Sequence, residues 1–329
     1  MLKPVLLTLI SLLPGIALAA QDALPDCQAG EPVSIATPAG RLQGTREAPA
    51  ESRHPVAQVL IIAGSGPTDR DGNSPGGMRN NSLCYLAKAL AAEGMSVLRY
   101  DKRGVAGSRS AAVKEIDLRF QTFVDDAGRW IDDLREREPT VPLVVIGHSE
   151  GALVGALATQ AHRADGFISL AGSAHRLGDL LRLQFAARGT AAQRNENERI
   201  LTALEAGHPV DDVPPELAAL YRSSVQPYLL SSLPLDPTKI YSRLDLPVLV
   251  AHGTTDIQVP VEDADTLARS VPKASRCIVE GMNHILKQVP AETLTQLASY
   301  ADPSLPVSPS LTRCISAFIR TVPAPRAGR

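Results

Sequence analysis

The run Leu143-Val144-Val145-Ile146, set off by Pro142 before it and Gly147 after it, passes within four residues into a helix-length stretch of small residues, 150 to about 161. A buried strand that turns at once into a helix needs a sheet with helices packed on it. The rest of the chain repeats that pattern, with strand-length apolar runs alternating with amphipathic helix-length segments, as in a mostly parallel sheet covered on both faces. Strands are expected at 59–63, 96–100, 143–146, 166–170, 247–251 and 275–279, preceded by an antiparallel hairpin of 33–36 and 41–45 around Pro38-Ala39-Gly40. Helices are expected at 82–93, 120–137, 150–161, 261–270 and 311–320. In the second of these, Phe123, Ala127, Trp130, Ile131 and Leu134 share one side. Asp125, Asp126, Asp132 and Asp133 fall on the other, read as a solvated face.

The interval 172–243 is too long for an ordinary crossover and needs structure of its own. It reads as a helical cap, with helices near 177–187 and 195–206, a break at Pro209, Pro214 and Pro215, and a further helix at 216–223. The organisation is therefore a core of 20–171 and 244–329 with the cap inserted. Ahead of it, Lys3, an apolar run over 5–13, Pro14-Gly15 and the small-residue sequence Ala17-Leu18-Ala19 form the pattern of a secretory signal over 1–19, cut after Ala19. The expected location is periplasmic or secreted, with no integral membrane association after cleavage.

Export changes the meaning of Cys27, Cys84, Cys277 and Cys314, since an oxidising compartment permits disulfides. Four cysteines allow three pairings. Cys277 with Cys314 is favoured because a late strand and the helix after it lie side by side, with free buried thiols as the alternative. No C-x-x-C spacing or adjacent histidine supports a metal site. A formal net charge of −2 and 4% aromatic residues leave neither a basic footprint for nucleic acid nor a stacking platform.

The turn itself is Gly147-His148-Ser149-Glu150-Gly151, a G-x-S-x-G sequence. Its glycines, Gly147 and Gly151, are needed because a strand reversing into a helix forces the serine into strain and leaves no room for side chains beside it. A serine hydroxyl is a poor nucleophile until a base takes its proton and a carboxylate orients that base. Downstream, His284 sits in the loop after the last expected strand, and Asp256 follows the strand ending in His252. His252 precedes the acid, the wrong order for a base, and His148 reads as a structural neighbour. Asp263 and Asp265 compete with Asp256 but fall in the first turn of the next helix, where acids favour the helix dipole. Oxyanion donors are expected from the backbone N–H groups of Glu150 and of Ser65, in the loop Ala63-Gly64-Ser65-Gly66-Pro67. That glycine loop lacks the lysine of a phosphate-binding loop. Asp69, Arg70 and Asp71 beyond it are expected to pin the loop by ion pairing.

These residues together resemble the α/β-hydrolase superfamily from about Val33 onward. Ala63-Gly64-Ser65-Gly66-Pro67-Thr68-Asp69-Arg70-Asp71, Asp101-Lys102-Arg103-Gly104 and Gly253-Thr254-Thr255-Asp256 are similar to its serine aminopeptidase-like and carboxylesterase branch. The resemblance implies an eight-stranded sheet, a cap after strand six and no cofactor. Two motifs depart from the branch: Ala63-Gly64 stands where His-Gly is frequent, and the glycine pattern after Arg103-Gly104 is displaced to Val105-Ala106-Gly107-Ser108. The function expected is hydrolysis of a small-molecule ester or related acyl substrate. An N-terminal peptidase using cap acids such as Glu205, Asp211, Asp212 or Glu216 is the alternative, and a silent binding protein on the same fold a third. Oligomeric state is left open.

Overall fold

The computed structural model describes residues 24–49 and 54–325. Residues 1–19, expected to form the export signal, lie outside the described residues. The chain forms β1 (Glu31–Thr37), β2 (Gly40–Glu47), β3 (Gln58–Ile62), α1 (Ser82–Ala92), β4 (Ser96–Tyr100), α2 (Phe120–Arg137), β5 (Leu143–His148), α3 (Glu150–Ala161) and β6 (Gly166–Leu170). Helices α4 (Leu177–Arg188), α5 (Ala191–Glu205), α6 (Ala218–Tyr221), α7 (Gln226–Ser232) and α8 (Pro237–Tyr241) follow. The chain then adds β7 (Val248–Gly253), α9 (Glu262–Ser270), β8 (Ser275–Val279), α10 (Thr293–Ser299) and α11 (Pro309–Ile319).

Among the described residues the eight strands make one sheet in the order β1-β2-β4-β3-β5-β6-β7-β8. The pairs β1–β2 and β2–β4 are antiparallel, and the other neighbours are parallel. This is the α/β-hydrolase fold. Strand alternation divides the core. Val59, Ile61, Val144 and Ile146 face α1 and α11 with Leu83, Leu86 and Ile315. Leu60, Ile62 and Val145 face α2 and α3 with Trp130, Ile131 and Val154. Both faces of β3 and β5 are buried, as a central parallel strand requires.

The helices between β6 and β7 close around a third cluster, including Leu181, Ile200, Leu201, Leu204, Tyr221 and Leu229. They differ in detail from the expectation. Helix α5 begins at Ala191 rather than 195, because Thr190 and Gln193 cap each other's backbone amides reciprocally. The helix expected over 216–223 is a 3-10 turn, Pro215–Leu217, running into the short α6. Helices α7 and α8 had no counterpart in the expectation.

Two further corrections concern charge. Asp126, assigned to the solvated side of α2, is buried and paired with Arg103 at 2.5 Å, while Asp125 and Asp132 do face solvent. Asp69 pins its loop by accepting the backbone amides of Asp71 and Asn73, each at 2.9 Å, rather than through an ion pair. Arg70 and Asp71 do form ion pairs, with Asp101 and Arg99. The cysteines pair as Cys27–Cys84 and Cys277–Cys314, the latter joining β8 to α11.

Candidate active site

Strand β5 ends at His148, and α3 begins at Glu150, so Ser149 must make the whole reversal. It does so at φ 56°, ψ −122°, a conformation an L-residue adopts only when its surroundings impose it. A Cβ on Gly147 would lie 2.1 Å from the Gly151 carbonyl oxygen, and one on Gly151 would lie 2.5 Å from the carbonyl oxygens of Ile62 and Ala63. The glycines are therefore steric requirements of the turn. The Ser149 amide donates to the Leu170 carbonyl at 2.9 Å, tying the turn to β6.

The loops after β7 and β8 meet beside this turn. Gly253 lies so close to Met282 that a Cβ there would fall 1.9 Å from the Met282 carbonyl oxygen. Backbone bonds from Thr254 to Val279 and from Thr255 to Met282, both 3.1 Å, lock the two loops together. Asn283 holds the second loop closed, its side-chain oxygen accepting the Lys287 amide and its amide nitrogen donating to Ser299, each at 2.9 Å. His284 is thereby presented to both partners. Its Nδ1 donates to Asp256 Oδ2 at 2.7 Å, and its Nε2 lies 3.1 Å from Ser149 Oγ. With the proton on Nδ1, Nε2 is left to accept the serine hydroxyl.

Asp256 is fixed as well as buried. Its Oδ1 accepts the amides of Gln258 at 2.7 Å and Val259 at 3.0 Å. Burial alone would raise its pKa, but the charge of His284 and hydrogen bonds from His252 and His284 prevail and hold the carboxyl well below the usual range. His148, behind the site, donates through Nε2 to the His284 carbonyl at 2.8 Å. Burial, with the neighbouring His284, pushes its imidazole down to about 4.

Ser149, Glu150 and Ser65 line one cavity of about 710 Å³, with Leu177, Leu180, Phe185 and Leu220 from the inserted segment on its walls. Of the competing acids, Asp263 is buried and bonds to Ser173, Ala174 and His175. Asp265 is paired with Arg276 on the surface. Glu205, Asp211, Asp212 and Glu216 are exposed and do not line the cavity. Glu115 does, but Arg222 and Ser224 occupy its carboxylate.

Sequence reasoning missed two neighbours. His252 was set aside on chain order, yet its Nε2 lies 3.3 Å from Asp256 Oδ2. Lys102 had been noted only within the Asp101-Lys102-Arg103-Gly104 motif, and its ammonium donates to the Gly64 carbonyl. Among the described residues one cluster of metal-ligating type comes together, Cys27, Asp71 and Cys84, and both its sulfurs are engaged in a disulfide. No helix among the described residues is long and apolar enough to cross a membrane.

Comparison with known proteins gives the same architecture. Residues 77–199 match the family model described as serine aminopeptidase, S33. Esterase EstD of Thermotoga maritima is 26% identical over 239 residues, which are 70% of this chain and 55% of that protein, so this chain spans about half its length. Est1E from Butyrivibrio proteoclasticus superposes with a TM-score of 0.58 at 16% identity, covering 88% of this chain and 99% of that one. A thermophilic esterase from Thermogutta terrifontis gives a TM-score of 0.54 at 18% identity, covering 89% and 99%.

Proposed function

We propose that this chain, a member of the α/β-hydrolase superfamily, is a serine hydrolase that cleaves carboxylic esters through an acyl-enzyme. One observation carries the proposal: Ser149 Oγ, His284 and Asp256 stand in hydrogen-bond series, at 3.1 Å and 2.7 Å. In this scheme His284 takes the hydroxyl proton as Ser149 attacks the acyl carbon. Asp256, ionised and immobile, stabilises the imidazolium that results. The oxyanion of the tetrahedral intermediate is received by the backbone N–H groups of Glu150 and Ser65. His284 then returns the proton to the leaving alcohol, and water repeats the sequence to release the acid.

The apolar wall of Leu177, Leu180, Phe185 and Leu220 favours esters with an apolar acyl or alcohol group. Removal of an N-terminal residue is less well supported, because a free ammonium needs an unengaged carboxylate in the cavity. The four acids suggested for that role face solvent, Glu115 is already paired, and Glu150, which also lines the cavity, has the buried Lys102 ammonium as its nearby charge. We also propose that the protein works outside the cytoplasm, in the periplasm or medium, a reading supported by its two disulfides.

The test is hydrolysis of a p-nitrophenyl ester series and of amino-acyl p-nitroanilides by the parent and by Ser149→Ala. The parent should cleave the esters and barely touch the anilides, and the variant should lose at least ~10³-fold in rate. Equal rates from parent and variant would defeat the proposal.

A further inference from the structure

The oxyanion loop contains a peptide unit that nothing in its own sequence holds in place. The unit joining Gly64 to Ser65 carries the Gly64 carbonyl on one side and the Ser65 N–H on the other. No cis peptide occurs among the described residues, so in this unit the two groups point in opposite directions. A flip of this unit turns on ψ of Gly64 and φ of Ser65, and glycine at the first of these positions lowers the resistance to it. A flip would exchange the N–H for a carbonyl oxygen where an oxyanion must be received. The unit abuts the nucleophile, since a Cβ on Gly64 would lie 3.1 Å from Ser149 Cβ.

Lys102 supplies the missing restraint. It is 5% exposed, and its ammonium donates to the Gly64 carbonyl. The neighbouring peptide unit is tied separately, its Ser65 carbonyl accepting from Thr68 Oγ1 at 2.9 Å. The lysine sits 5.8 Å from the Phe123 ring centroid with Glu150 as its nearby charge, and burial pushes its ammonium down to about 8. Holding a cation in such surroundings is unfavourable, and packing alone would be better served by methionine. Resting on the hydrolase reading above, we propose that Lys102 is the positioning residue of the oxyanion site: bonded to the Gly64 carbonyl, it aims the Ser65 amide at the oxygen of a substrate held on Ser149.

The experiment uses Lys102→Met, Lys102→Gln and Lys102→Arg in the full mature chain, with rates expressed per site titrated to completion by a fluorophosphonate. Lys102→Met should lower kcat on a p-nitrophenyl ester by ~100-fold, the scale of losing an oxyanion donor, while KM stays within about threefold. Lys102→Arg, which keeps charge and donor, should recover at least about tenfold of that. Should Lys102→Met fold too poorly to titrate, Lys102→Gln carries the same expectation with a smaller loss, about tenfold. A kcat per site within threefold of the parent for Lys102→Met, or equal losses for the Met and Arg variants, would overturn the assignment to positioning. Either result would leave the hydrolase reading intact, because that depends on the parent's activity and its loss in Ser149→Ala.

Discussion

His252 Nε2 lies 3.3 Å from Asp256 Oδ2, the same oxygen that accepts His284 Nδ1 at 2.7 Å. The Val259 carbonyl, 3.2 Å away, also faces that nitrogen, and His252 Nδ1 is buried without a hydrogen-bond partner among the described residues. Both neighbours of Nε2 are acceptors, so the proton resides there and His252 donates toward the acid. Asp256 is thus held between two imidazoles and two backbone amides.

Asp256→Asn should lower kcat by ~10⁴-fold, because an amide in place of the carboxylate favours the wrong His284 tautomer. His252→Phe should cost far less, about tenfold in kcat, by removing one of several groups that hold the acid ionised. Steady-state kinetics on one ester, normalised to titrated sites, checks both. An Asp256→Asn loss as small as that of His252→Phe would place the orienting acid elsewhere.

His148 makes stability depend on pH. Its folded-state value of about 4 lies below the ordinary 6.5, so the unfolded chain binds the proton first as pH falls. The stabilisation is fully present above pH 6.5 and is lost progressively between 6.5 and 4, amounting to about 3 to 4 kcal/mol at one pKa unit per ~1.4 kcal/mol. Lys102 and Lys287, held at about 8 and about 7, are largely protonated in both states across that window and add little slope there. Urea unfolding at pH 7 and pH 4.5 should show the parent losing more than His148→Gln by about 2 to 3 kcal/mol. Parallel losses would refute the neutral, buried state of His148.

What the sequence made legible follows from the range of its signals. The turn at Ser149 is local, a strand, two glycines and a helix within a dozen residues, so pattern alone locates it. His284 and Asp256 could be singled out because chain order places them in loops at the carboxyl ends of strands that pair. His252 could not, since its proximity to Asp256 depends on how the loop after β7 curls back through the Gln258 and Val259 amides. Helices α6 to α8 span four, seven and five residues, too short for a helical period to register, and owe their form to tertiary packing such as the Tyr221–Leu229 cluster. Asp126 shows the limit of periodicity most plainly. Its position on α2 marks it as solvated, whereas its partner Arg103 belongs to a loop that no pattern within α2 can reveal.

The Arg103–Asp126 pair should behave as a buried ion pair. Asp126 is 1% exposed, its carboxyl is raised by burial against the pull of Arg103, and Arg103 contacts it through two nitrogens at 2.5 and 3.0 Å. Arg103→Met alone strands a carboxylate and should cost ~3–5 kcal/mol. Arg103→Met with Asp126→Leu should recover most of that, since the paired charges repay little beyond their own desolvation. Chemical denaturation of the three variants measures the coupling, and strict additivity would show the pair to be energetically independent.

Asp263 provides the sharpest control on which carboxylate serves His284. It is buried at the start of α9; its Oδ2 accepts Ser173 Oγ and the Ala174 amide at 2.8 Å, and His175 Nδ1 lies against both oxygens, 2.9 Å from Oδ1 and 3.0 Å from Oδ2. These residues lead out of β6 into α4, so Asp263 fastens the entrance of the inserted helices, while Asp256 holds His284. In Asp263→Asn the amide oxygen can replace some of these bonds while its NH₂ finds no acceptor in place of the second carboxylate oxygen, so stability should fall by ~1–3 kcal/mol. Turnover of p-nitrophenyl acetate per titrated site should stay within about threefold of the parent, because Ser149, His284 and Asp256 are untouched. A fall in kcat comparable to that of Asp256→Asn, without loss of titratable sites, would mean that Asp263 rather than Asp256 governs the imidazole.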